Sequence, residues 1–316
     1  MDIIGIGGAF IDLTYHVPDA RLAELGLRKA GISFVSPDRQ RFLIESNSAA
    51  LTGVSHGGSV ANSIYTAQKM GAKCAFAAKI GNDSYGESFA TELSNHGVVL
   101  ASQPCVGDTN SVLAFITPDG EKSFAVSPEL ASSLTFEDID REIVRASAWT
   151  LIEGQLFSYG DDSKQAALDC LGFCKGRNQK TALNLGSISV VEKNRETFHQ
   201  LVNERMITLL IGNSDELALL HGSNDTNAAL TWAGSYAEYV VATKGADGAI
   251  GRHNGIDCQV PPPVVSQVVD TSGAGDAFLG TLLASIASDQ TLLAAMERAN
   301  EVAAKVVQQH GARLTS

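Results

Sequence analysis

From Trp149 to Thr243 the chain alternates short, apolar, β-rich runs with helical stretches, and this alternation narrows the fold more than any other feature. Strands are expected at Trp149 to Glu153, Thr181 to Leu185, Met206 to Ile211 and Tyr239 to Thr243. Helices are expected over 161–175, 190–204, Asp215 to Leu220 and Asn227 to Ala237. Strands joined through helices pair in parallel, with the helices covering the sheet. The 316 residues, 44% hydrophobic, are ample for one large α/β domain, or for one such domain with a small appendage.

Open parallel sheets bind ligands beyond the carboxyl ends of their strands. The stretch Val268 to Gly280 fits such a position. An apolar pair leads into Asp270-Thr271-Ser272-Gly273-Ala274-Gly275-Asp276, and an alanine-rich helical run follows. The order reads as a strand end, a tight glycine turn and a helix start. The first amides of a helix lack internal partners and favour negative charge. The turn is therefore a candidate anion cradle with a carboxylate, Asp276, beside it.

The first half is less regular. Ile3 to Asp12 reads as a first buried strand with Asp12 at its end. Residues 13 to 55 hold short β-like pieces around helical stretches near 19–27 and 37–46, too long for an ordinary connection, so a small β-rich appendage is expected. Gly57-Gly58 precedes a helix expected to be capped by Ser59, with Asn62 one turn in. A strand from Ala75 to Ile80 leads to Gly81–Glu87, which opens a helix running to about His96. Ser111–Thr117 and Glu121–Val126 flank Pro118-Asp119-Gly120 and read as a hairpin. Asn213-Ser214-Asp215-Glu216 reads as a helix start, and Pro261-Pro262-Pro263 as a stiff connector.

Several classes are excluded. Gly5-x-Gly7 has Phe10 at the third glycine position, so it is not a dinucleotide fingerprint, and no Walker-type phosphate loop is present. Net charge is −12 with no basic run, which argues against nucleic-acid binding. Cys74, Cys105, Cys170, Cys174 and Cys258 lack zinc spacing and read as free thiols. Of the seven histidines, none has a nucleophile partner pattern, and His56 is singled out because it abuts the Gly57-Gly58 pair. Met1–Gly5 lacks the features of a signal peptide, and no apolar run reaches about 18 residues, so a cytoplasmic protein without membrane contact is expected.

Asp270-Thr271-x-Gly273-Ala274-Gly275-Asp276 resembles the signature of the PfkB carbohydrate kinases, the ribokinase and adenosine kinase group. The resemblance extends from Asp12 to Gly311-Ala312. It implies a ribokinase-like three-layer sandwich around a mostly parallel sheet, formed by residues 1–12, 56–110 and 127–316. Residues 13–55 and 111–126 would form a β-rich lid. It also implies ATP-dependent phosphoryl transfer to an alcohol, with Mg²⁺ and with a monovalent cation left open. Asp276 would be the base, and the amides of Gly273, Ala274 and Gly275 would hold the transferred group. Asp12, Gly57, Gly58 and Asn62 would meet the acceptor. Asn184, Asn213, Glu216, Thr243, Gly245, Thr271 and Asn300 would face the nucleotide, with Glu216 reaching Mg²⁺ through water. Asn184 and Asn300 read equally well as satisfied structural asparagines.

The long insertion resembles the bacterial adenosine-kinase-like subgroup, which favours a nucleoside over a free sugar as acceptor. Tyr15, Phe34, Phe115 and Phe124 are aromatics that could flank its base or sugar, and packing within the lid alone would also place them. Lys122-Ser123 stands where many members carry Arg-Thr or Arg-Ser, keeping the charge but not the fork geometry. A non-catalytic sensor on the same fold is a further reading, and a monomer or a homodimer through the lid is expected.

Overall fold

Strand β1 (Ile3–Ile6) is buried at every residue. A computed structural model describes residues 1–262 and 264–314, so Pro263 of the connector lies outside the described residues. β2 (Phe10–His16), β3 (Ile32–Phe34), β4 (Leu51–Gly57), β7 (Ser111–Ile116) and β8 (Lys122–Ser127) stand apart from β5 (Cys74–Ala77) and β6 (Val99–Leu100). The second half contributes β9 (Trp149–Glu153), β10 (Lys180–Asn184), β11 (Leu209–Asn213), β12 (Tyr239–Thr243), β13 (Ala249–His253) and β14 (Ile256–Val260). Among the described residues, nine strands form one sheet in the order β14-β13-β12-β11-β10-β9-β1-β5-β6. From β6 to β12 every pair is parallel, and β13 and β14 add an antiparallel edge.

Helices cover both faces of this sheet, which gives the expected three layers. Ser59–Lys69, Ala274–Ala287 and Leu292–Val306 bury Val60, Ile64, Leu282, Leu283 and Met296 on one face. Asp161–Lys175, Ile188–Asn203 and Ser214–His221 bury Cys170, Leu171, Val191, Phe198 and Leu217 on the other. Local chemistry starts several of them. The side chains of Asp83, Ser187, Asn213 and Thr291 each accept an amide of the first turn.

The second sheet has the order β3-β8-β7-β2-β4. Its β7–β8 hairpin turns at Asp119-Gly120 as expected, and the Thr117 hydroxyl donates to Asp119 at 2.6 Å. One expectation is corrected here. Ile3 to Asp12 is not one strand. The Gly8 amide donates to the Glu153 carboxylate at 2.8 Å instead of continuing the ladder, and the chain crosses to the second sheet. Asp12 therefore lies in the second sheet, not at a carboxyl end of the parallel one. The boundaries expected near 12 and 55 fall inside β2 and β4 for the same reason.

The helices Ser59–Lys69 and Ala274–Ala287 pack unusually close. A side chain at Gly280 would overlap the Ser63 carbonyl oxygen, so glycine permits the approach. Gly58 enters the first of these helices at φ +108°, where an added Cβ would also overlap the Gly8 carbonyl oxygen. Both conditions bear directly on the site. No helix among the described residues is long and apolar enough to cross a membrane.

Candidate active site

Glu153, Asn184, Asn213 and Thr243 are the last residues of β9, β10, β11 and β12. Parallel pairing aligns the first two directly, Asn184 opposite Glu153, and the last two likewise, Asn213 opposite Thr243. The helix Ala274–Ala287 begins over this row, after Gly273 at φ +75°. Asp276 thus sits in its first turn above the strand ends. Ser59, Asn184, Asn213, Glu216, Thr243 and Asp276 line a cavity of about 150 Å³. That is smaller than pockets that enclose a whole small molecule, which begin near 300 Å³. It has room for a group the size of a phosphoryl with ordered water.

The Asp276 carboxylate is held at both oxygens. The Ser59 hydroxyl donates to Oδ1 at 2.6 Å, and the Asn62 amide donates to Oδ2 at 3.0 Å. Asn184 donates in turn to the Ser59 hydroxyl at 3.2 Å. Burial raises the Asp276 pKa, while Ser59, Asn62 and the Arg313 charge oppose the rise. Ser59 is therefore not the helix cap expected from its position. Gly58 occupies the cap, and the Ser59 side chain is spent on Asp276.

Asn213 and Glu216 form a reciprocal cap. Glu216 Oε2 accepts the Asn213 backbone amide at 3.0 Å and Oε1 accepts its side-chain amide at 2.8 Å, while Asn213 Oδ1 accepts the Glu216 amide at 2.8 Å. Burial raises the Glu216 pKa and the Asn213 amide opposes it. Each Glu216 oxygen keeps a lone pair for the cavity.

In the second sheet, burial pushes the Asp12 carboxyl up to about 6 against the Arg313 charge. The side chain of Asp12 fills the space a Gly57 side chain would occupy. The registers put Asp12, Val112, Val126 and Phe34 in one row on one face of the second sheet. Thr14, Ala114, Phe124 and Ile32 form the next row of that face. Phe34 and Ile32 are 76% and 62% exposed, so this face is apolar and open. Tyr15 and Phe115 are on the opposite face, fully buried and stacked at 5.1 Å. They are core residues, and only Phe34 and Phe124 of the four aromatics remain on the open side. Lys122, at the hairpin end of that face, lies close enough to lower the Asp270 pKa. Burial raises it, but the Ser272 and Gly311 amides and this lysine outweigh burial.

Other expected residues are placed less centrally. The Ala274 amide closes the turn onto the Thr271 carbonyl at 3.3 Å. Thr271 is exposed, and Gly245 shapes a short turn at φ +55°; neither lines the cavity. Asn300 is buried and donates to the Pro261 carbonyl at 3.0 Å, which ties the proline connector to the last helix. His56 pairs with the Ser88 hydroxyl at 2.9 Å, and burial lowers its pKa.

Two residues were not foreseen. Glu153 is 1% exposed. It accepts the Gly8 amide and, at 3.2 Å, the Tyr159 hydroxyl. Burial raises its pKa to about 7, with the nearby Asp276 charge adding to the rise. An acid closing an otherwise apolar strand, followed by Gly154, was the available signal. Arg313 has no local signal, because its partners Asn62 and Glu92 lie more than two hundred residues earlier (separations 251 and 221).

Comparison with known proteins agrees with this architecture. A family model described as pfkB family carbohydrate kinase matches residues 34–316. Guanosine-inosine kinase of Escherichia coli (strain K12) is 22% identical over 387 residues, covering 99% of this chain and 88% of that protein. Fructokinase-2 of Solanum lycopersicum is 27% identical over 275 residues, covering 78% of this chain and 77% of the other. The crystal structure of adenosine kinase from Sinorhizobium meliloti superposes with TM-score 0.86 at 25% identity, covering 100% of this chain and 96% of that one. A probable sugar kinase from Rhizobium etli CFN 42 superposes with TM-score 0.88 at 24% identity over 100% of this chain and 95% of that one. The chain belongs to the pfkB family of carbohydrate kinases, and it is a phosphotransferase with an alcohol group as acceptor.

Proposed function

We propose that this enzyme transfers the γ-phosphoryl group of ATP to a hydroxyl of an adenosine-like nucleoside, with Asp276 as base. The observation that carries the substrate reading is the open face of the second sheet, where Asp12 stands beside Val112, Val126 and Phe34. A carboxylate next to an apolar, aromatic-bearing surface suits a molecule with a polyol at one end and a flat base at the other. The guanosine-inosine kinase and adenosine kinase relatives support the same class.

The chemistry follows from the geometry around Asp276. The acceptor hydroxyl is oriented by a lone pair of the carboxylate that Ser59 and Asn62, which take one on each oxygen, leave free. As the hydroxyl oxygen bonds to phosphorus, its proton passes to Asp276. The bond from phosphorus to the bridging oxygen breaks, and that electron pair leaves with the nucleoside diphosphate. Ordinary carboxylates are weak bases, but phosphoryl transfer depends mainly on positioning and charge stabilisation. The Gly273 and Gly275 amides at the helix start favour the negative charge of the transferred group. Glu216, Asn213 and Thr243 are hard oxygen donors around the cavity and fit Mg²⁺ held through water, which would supply charge neutralisation.

A free sugar acceptor is the alternative, favoured by the likeness to fructokinase-2. Initial rates with adenosine, guanosine, inosine, ribose and fructose, each with ATP, test the reading. Turnover of nucleosides at the highest kcat/KM is expected. Turnover of a free sugar without any nucleoside would reverse it.

A further inference from the structure

Asp276 is held by Asn62, and the orientation of Asn62 is itself decided elsewhere. Arg313 Nε donates to Asn62 Oδ1 at 2.7 Å, leaving Asn62 Nδ2 to donate to Asp276 at 3.0 Å. A guanidinium can only donate, so it selects the oxygen end of an amide. With the amide reversed, its oxygen would face the Asp276 carboxylate and its NH₂ would face the guanidinium, and both contacts would be repulsive. Arg313 is fixed in turn. Its Nη1 donates to both Glu92 oxygens at 2.6 and 2.5 Å, and its guanidinium carbon lies 5.0 Å from the Tyr65 ring centroid. The next residue is tethered too, because Lys69 donates to the Leu314 carbonyl at 2.7 Å.

Resting on the base reading above, we propose that Arg313 is a positioning residue for Asp276. It locks the Asn62 amide in the one orientation that supports the carboxylate, and Glu92 holds it in place. A second observation sets Arg313 apart from a purely structural arginine. Its Nη2 is buried and has no hydrogen-bond partner among the described residues. Buried guanidinium nitrogens are normally satisfied. Leaving one open retains an unspent donor, and the guanidinium charge acts on both Asp12 and Asp276. The groups around Arg313 are Glu92, Asp12, His56, Tyr65 and Asp276, and those around Asp276 are Ser59, Asn62, Arg313 and Glu153. The Arg313 charge favours ionised Asp12 and ionised Asp276, against their burial.

Three variants of the full chain test this, each with a thermal melt and a pH profile of kcat and kcat/KM. Asp276→Asn is the control and is expected to be folded and inactive. Arg313→Met removes charge and fork together. It is expected to lower kcat between about tenfold and a hundredfold and to move the acidic limb of kcat/KM up by at least about half a pH unit. Arg313→Lys keeps the charge but cannot serve Asn62 and Glu92 at once. It is expected to return the limb to the parent position while kcat stays reduced. A purely structural role would lower the melting temperature without moving the limb, and that result overturns the proposal. Parent-like kcat in Arg313→Lys also overturns it, because lysine lacks the fork that holds Asn62. Where Arg313→Met does not fold, Arg313→Lys decides alone: reduced kcat at an unmoved limb supports the proposal, and parent-like kcat overturns it. Turnover retained in Asp276→Asn overturns the base reading and this inference with it, whereas an inactive Asp276→Asn beside parent-like Arg313 variants overturns the inference alone.

Discussion

Ser59 and Asp276 lie 217 positions apart in the chain and share a 2.6 Å hydrogen bond. The bond joins the first turns of two helices on the same face of the sheet, and the Gly280–Ser63 approach brings those helices together. Each residue lacks its ordinary local use. Ser59 does not cap its helix, and both Asp276 oxygens accept hydrogen bonds from the neighbouring helix. The bond fixes one oxygen of the Asp276 carboxylate, and Asn62 fixes the other.

Replacing Asp276 by Asn preserves size and hydrogen-bonding capacity on one side but removes the proton acceptor. We expect kcat to fall at least about a hundredfold with an unchanged melting temperature to within a few degrees. Steady-state kinetics and a thermal melt of the purified variant check both parts.

The Glu153 carboxyl is raised by burial from 4.5 to about 7 in the folded protein. A folded-state pKa above the unfolded one means that stability is fully present below pH 4.5 and is lost as pH rises through about 7. The size of the loss is on the order of 3 kcal/mol. Asp12, raised to about 6, adds to the early part of the same window. Urea denaturation at half-unit pH steps should show this decline, and Glu153→Gln should flatten it between pH 5 and about 7. An equally steep decline in the variant would rule Glu153 out as its source.

Phe34 is exposed in the row that begins with Asp12. Its truncation to Ala should raise KM for a nucleoside by roughly three- to tenfold through lost stacking area, with kcat nearly unchanged. Tyr15→Phe, on the covered face, should leave KM unaltered. Parallel Michaelis curves for the two variants discriminate a binding face from a core face.

Gly58→Ala places a side chain at φ +108° and against the Gly8 carbonyl oxygen. The backbone must then move where it enters the helix carrying Ser59 and Asn62. A loss of about 2 kcal/mol or more in unfolding free energy is expected, together with a lower kcat.

Asn300 donates to the Pro261 carbonyl and is absent from the cavity lining. Asn300→Ala should therefore cost about 1 kcal/mol of stability while KM for ATP stays within about twofold. A large rise in that KM at unchanged stability would restore its expected place facing the nucleotide.

Much of the fold was legible because its signals are local. Strand and helix alternation from Trp149 to Thr243, the Asp119-Gly120 turn, and the cap at Asn213 each depend on residues a few positions apart. The glycine turn before Asp276 was legible for the same reason. The chain between Ile6 and Phe10 was not. It reads as a continuing strand, yet a carboxylate from β9 takes the Gly8 amide and diverts it to another sheet. Aromatic character alone placed Tyr15 and Phe115 beside Phe34 and Phe124, whereas strand register puts the two pairs on opposite faces.

The sequence by itself determined which residues could do the chemistry: Asp276, the glycines before it, Asp12, and the polar ends of the parallel strands. Only the tertiary structure decided how that carboxylate is held. Ser59 and Asn62 come from one helix and Glu153 and Arg313 from two other distant segments, and sheet order with close helix packing is what brings them within hydrogen-bonding distance or electrostatic reach of Asp276. Hydrogen bonds between segments that far apart leave no pattern in the intervening residues, so periodicity and spacing cannot announce them.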